Sequence, residues 1–391
     1  MRISNDIKTQ VPRGRISRYV FLICGAGLLN TAAPVLLAED QGAVYTMTND
    51  PDRNGVLMFS RSQQGSLTAA GTFYTGGKGT GGVEPDFGLL NARPLVLNED
   101  NSLLLVVNPG SNDLSVFEVE PHALKLVDHH TSGGYRPVSV AVHGKLVYVL
   151  NAGGGHGGID NVTGFTVSSK GALTPLPNST RPLSADATGP AEVRFSRDGA
   201  FLAVTEPFTD KIDTYVVGND GLLTGLVVNN SGTGTFPIGF DFGMRDELFV
   251  SDDYSDAIGA GAMSAYYLAA NGSLQPVGGP VPAHQSGACW VLVSTDGRHV
   301  YLANTVSSVI TLYNVNPATG QITHVQSFPS PTNETDMDFS RDGRFLYALA
   351  PDETGSTPGI NAYAVNPATG VLTPLLGVTG LPLTVNGIAA R

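Results

Sequence analysis

The chain has 391 residues, 14% of them charged, with 48 Gly, 25 Pro and 34 Asp plus Glu against 22 Lys plus Arg. The net charge of −12 repels phosphate backbones and argues against a nucleic-acid partner. Two cysteines cannot staple a disulfide mini-domain, so the fold must rest on its own hydrophobic core.

Residues 1–38 read as a secretory signal peptide. Arg2, Lys8, Arg13, Arg15 and Arg18 precede an uncharged, mostly apolar stretch over 19–38. Leu36-Leu37-Ala38 and Thr31-Ala32-Ala33 both offer small-residue cleavage sites, and Pro34 and Asn30 weaken a permanent spanning helix. Cleavage removes Cys24, leaves Cys289 alone and leaves no stable membrane anchor. The expected location is secreted or periplasmic.

Residues 39–391 read as one domain of repeated four-stranded units. The mature chain begins mid-unit: 43–47 resembles a second strand and 55–59 a third. The next unit starts near Arg93 and continues at 103–107. The following units show inner strands over 138–142, 191–196, 238–242, 289–293 and 337–339. Each is followed by a second apolar strand. The missing first strand of the opening unit is expected from 384–389, which closes the array end to end and removes exposed sheet edges. Two phrases punctuate the units. Phe195-Ser196-Arg197-Asp198-Gly199 returns as Phe339-Ser340-Arg341-Asp342-Gly343, with a weaker copy at Val293-Ser294-Thr295-Asp296-Gly297. Asn316-Pro317-Ala318-Thr319-Gly320 returns as Asn366-Pro367-Ala368-Thr369-Gly370. Spacings of roughly 46–50 residues match a propeller blade, and Asp-Gly suits a tight hairpin. The prediction is an all-β, seven-bladed β-propeller closed by pairing of N- and C-terminal strands.

These turns, Asn151 and Asn304 after second strands, and the outer hairpin 313–320 resemble the seven-bladed β-propeller lactonase family over about residues 42–391. Its members include a 6-phosphogluconolactonase and a carboxymuconate cyclase. The resemblance implies a small-molecule substrate near the central channel, and family members use His, Glu and Arg there. In the segment Gly189-Pro190-Ala191-Glu192-Val193 this chain has Ala or Glu where the family often carries His.

Blade topology puts the repeated turns at one face, the bottom, and the starts of inner strands at the other. Top-face candidates are Arg93, Arg136, Glu192, Trp290, Asp336 and Asn386, with loop residues His156 and His284. Arg93 and Arg136 are each followed by Pro and suit a carboxylate or an oxyanion. Glu192 and Asp336 are the candidate bases, Trp290 a stacking surface. Asp252 and Asp253 carry oxygen ligands for calcium, but acidic loops are common and no metal or other cofactor is expected. The expected function is an exported hydrolase of a small acidic lactone. The alternatives are a non-catalytic propeller binding a protein or glycan, and a cycloisomerase of the carboxymuconate type.

Overall fold

Four antiparallel strands joined by tight turns recur in seven sheets, which form the blades of a β-propeller. The computed structural model describes residues 42–82, 92–230, 234–350 and 357–391. The expected signal peptide over 1–38 lies outside the described residues.

The second strands are largely apolar because both faces are covered by neighbouring blades. Leu103–Asn108, His299–Asn304 and Phe345–Ala350 are buried at every position. The inner strands pack in succession around the channel. Leu95–Leu97 of the second blade touches Pro137–His143 of the third, and Asp336–Phe339 of the seventh touches the C-terminal strand Asn386–Ala390. That last strand pairs antiparallel with Gly42–Met47, Val44 opposite Ala390 and Tyr45 opposite Ala389. The ring therefore closes as expected, by the two chain ends sharing the first blade.

The repeated phrases are hairpins. The Ser196 hydroxyl donates to Asp198 at 2.7 Å and accepts the amide of Phe201 at 3.0 Å. Ser340 does the same with Asp342 and Phe345, at 2.6 and 3.0 Å. Gly199 and Gly343 adopt φ of 72° and 67°, which a Cβ would strain.

The outer hairpins act between blades. Tyr301 Oη donates to the Gly370 carbonyl at 2.6 Å, Tyr148 to Gly221 at 2.9 Å, and Tyr347 to Gly65 at 2.8 Å. A second-strand tyrosine thus latches each of these blades to the outer turn of the next, and Tyr347 carries the latch across the closure.

Candidate functional site

The inner strands place charge in the channel. Glu192 and Arg194 flank Val193, and Asp336 and Asp338 flank Met337, so each pair shares one face of its strand. Arg194 pairs through Nε with Glu192 and through Nη1 with Asp241 of the next blade. Arg93 joins them from the second blade, with its amide donating to Asp336 Oδ2 at 3.3 Å.

Most of these carboxylates also hold the ring together. An inner strand has an unpaired edge toward the channel, whose amides need acceptors. Glu192 Oε2 accepts from Phe240 at 2.9 Å, and Asp241 Oδ2 from Val293 at 2.9 Å. Asp336 Oδ2 accepts from Ile388 at 3.1 Å, and Asp338 Oδ2 from Ala390 at 2.9 Å. Each acceptor lies one blade before its donor.

Burial works against charge throughout this layer. It raises the Glu192 carboxyl, although Arg194 opposes the rise. It pushes Asp336 up to about 7, with the Glu192 charge adding to the effect. Asp338 rises for the same reason, opposed by Arg93. Arg194 loses solvation too, but Asp241 and Glu192 outweigh that loss and hold it protonated. Arg93 is lowered, by burial first and by Arg194 second. Its backbone is held in the left-handed region, at φ 61°. Among the described residues nothing accepts a hydrogen bond from its guanidinium, and its Nε is buried without a partner. A guanidinium that no acceptor among the described residues engages and that borders a cavity is placed to take a ligand's acceptor.

The channel widens toward the repeated turns into a cavity of about 610 Å³, a volume suited to a small organic ligand. Arg93, Arg194, Asp241 and Asp338 form its charged floor, and Phe195, Phe242 and Phe339 line its wall. Beyond the charged layer, Ala92, Ala191, Ile238, Cys289 and Trp290 pack into one apolar cluster, each at most 6% exposed.

The sequence-predicted residues divide accordingly. Arg93, Glu192 and Asp336 come together. Trp290 is buried in the apolar cluster, and its indole N–H has no partner among the described residues. Asn386 is buried at the start of the C-terminal strand. Arg136, in the left-handed region at φ 53°, bonds His156 in the glycine-rich loop above the third blade. His284 lies in the outer layer of the fifth blade on Val281–Gln285, its ring 6.3 Å from that of His324. Asp252 and Asp253 are buried, and among the described residues no group of three acidic, His or Cys side chains is arranged to hold a metal. Sequence reasoning missed Arg194, Asp241 and Asp338. The signal for two of them was the period of a strand, since each stands two residues beyond a named candidate.

Residues 273–382, from the edge of the fifth blade through the seventh, match the family model Lactonase, 7-bladed beta-propeller. The chain resembles the seven-bladed β-propeller lactonases. No curated protein matches it by sequence. Solved structures share the fold at low identity. A Lactobacillus plantarum protein is 17% identical with a TM-score of 0.71, covering 90% of this chain and 99% of its own. The periplasmic gluconolactonase of Pseudomonas aeruginosa is 17% identical with a TM-score of 0.69, covering 89% and 98%. A Bacteroides uniformis protein named as a candidate 6-phosphogluconolactonase is 19% identical with a TM-score of 0.69, covering 89% and 99%.

Proposed function

We propose that this lactonase-like propeller hydrolyses a small acidic lactone at the floor of the channel cavity, and that it does so outside the cytoplasm. The observation that carries the reading is Arg93: a guanidinium without a hydrogen-bond acceptor, facing a cavity beside the carboxyl of Asp338. Arg93 holds the lactone carbonyl oxygen as negative charge develops on it. Asp338 takes a proton from water as the water oxygen bonds to the carbonyl carbon. The ring C–O bond then breaks, and Asp338 returns the proton to the departing alkoxide, giving a hydroxy acid. Glu192 and Asp336, the bases expected from sequence, are placed in this scheme as positioning residues. Glu192 orients Arg194, and Asp336 holds the backbone of Arg93.

The matched family segment supports the reaction class, and the basic-then-apolar leader over 1–38 supports export. The test is a panel of acidic and neutral lactones followed by pH-stat, with Arg93→Ala and Asp338→Asn beside wild type. Loss of one oxyanion or base group costs at least about 100-fold in rate. Hydrolysis no faster than background with every lactone, or both variants turning over at the wild-type rate, sinks the proposal. A second reading, a propeller that binds without catalysis, is favoured by the stitching of all four carboxylates to backbone amides. It predicts that Arg93→Ala weakens ligand binding while no lactone is opened.

A further inference from the structure

The variable letter of the repeated turn is not demanded by the turn. The hairpin needs Ser to accept and donate, Asp to receive, and Gly for its positive φ. The residue between Ser and Asp takes no part, and Thr295 serves there in the sixth blade. Yet the fourth and seventh blades carry Arg197 and Arg341 at this place, and both line the mouth of the 610 Å³ cavity whose floor holds Arg93.

The surroundings leave these two guanidiniums available. Arg197 is fixed at its stem, since Nε donates to the Phe242 carbonyl at 3.2 Å and its amide donates to Asp246 at 3.0 Å. Its Nη groups make no hydrogen bond among the described residues, and neither does the exposed side chain of Arg341. Of the acidic residues at the rim, Glu99 is turned to His143, Oε1 to Nδ1 at 3.1 Å, while neighbouring Asp100 feels the Arg341 charge without a hydrogen bond to it. At the other end of the channel the inner-strand starts are packed with apolar side chains, so the floor faces the repeated turns.

Floor and rim are separated along the strand. From Asp338, beside Arg93, to Arg341 the chain advances three residues and enters the turn, so the separation is at most about 10 Å at the rise of an extended strand. We propose that the cavity is a two-point anion site. Arg93 takes one carboxylate at the floor, Arg197 and Arg341 take a second at the mouth, and the ligand is an elongated dianion of the dicarboxylate type. The apolar wall of Phe195, Phe242 and Phe339 covers the carbon chain between the two charges. This site shares Arg93 with the proposed hydrolysis but is read by binding alone, so either idea can fail without the other.

The experiment is calorimetric titration with a series of linear dicarboxylates from succinate to suberate, and with monocarboxylates of matched length. Wild type is expected to bind one length of dicarboxylate at least tenfold tighter than the matched monocarboxylate. The double variant Arg197→Thr, Arg341→Thr borrows the residue the sixth blade already uses. It should bind that dicarboxylate only as well as the monocarboxylate, while its thermal midpoint stays at the wild-type value. Arg93→Ala should weaken both ligand classes. Equal affinity for the two classes, no binding of either, or an unweakened double-Thr variant overturns the proposal.

Discussion

Asp252 offers a measurable consequence of how this fold handles buried polarity. It ends the second strand of the fifth blade and is fully buried. Other blades place asparagine at the equivalent point. Asn108 Nδ2 donates to Ser115 at 2.8 Å, and Asn304 Nδ2 donates to Thr311 at 3.0 Å. In the fifth blade the polarity is reversed: the Ser264 hydroxyl donates to Asp252 Oδ2 at 2.6 Å, and Oδ1 is left without a partner. Burial pushes this carboxyl up to about 7, and the Ser264 bond only partly offsets it.

A folded-state value raised above the unfolded one means the native protein holds a proton that the unfolded chain has released. The contribution is complete below the unfolded value near 3.8 and is lost as pH rises toward 7. Over that span the loss amounts to about 4 kcal/mol at most, at about 1.4 kcal/mol per pH unit. Asp252→Asn supplies the amide that the sibling blades use and removes the ionisation. Urea unfolding, followed by fluorescence of the single tryptophan, should give variant and wild type similar stability at pH 4. By pH 8 the variant should lead by about 2–4 kcal/mol. A gap that stays constant from pH 4 to pH 8 refutes the argument, because the unpartnered carboxyl would then carry no net charge penalty.

Two further outcomes test the ring itself. Tyr347→Phe removes the latch to Gly65 and strands a carbonyl, so it should cost about 1–2 kcal/mol in urea unfolding; an unchanged midpoint means the latch is incidental. Glu192→Gln takes a charge from a buried pair with Arg194 and should cost on the order of 3 kcal/mol in stability. If instead stability holds and only turnover of a lactone collapses, Glu192 is the base and Asp338 is not.

The fold was legible because its turns are chemically demanding and recur. A Ser that both donates and accepts, with an Asp and a positive-φ Gly behind it, has few replacements. The letters therefore stay fixed in Ser196–Gly199 and Ser340–Gly343, and their spacing gives the blades. Closure through the C-terminal strand was legible for a related reason: the stretch 43–47 reads as a second strand without a first, and 384–389 reads as a first strand without a second. The outer tyrosine latches were not anticipated, since a tyrosine inside an apolar strand looks like core until the carbonyl it reaches is known.

The site was legible to the level of the strand but not of the residue. Counting from the turns led to Arg93, Glu192 and Asp336, which do converge. The same counting placed Arg136 with them, and the top-face loops added His284, yet Arg136 bonds a loop histidine above the third blade and His284 sits in an outer layer. Alignment along a blade fixes height in the channel, whereas facing a cavity depends on which amides a side chain must already satisfy. Glu192 is fully buried between Arg194 and the Phe240 amide and does not line the cavity. Asp338 also accepts two amides, from Phe339 and Ala390, but it stands one strand period nearer the mouth, is only partly buried, and has the Arg93 charge and the cavity beside it. Moving two residues along the seventh inner strand keeps the face and changes the surroundings: Asp336 and Asp338 both hold the C-terminal strand, and only Asp338 also borders the cavity.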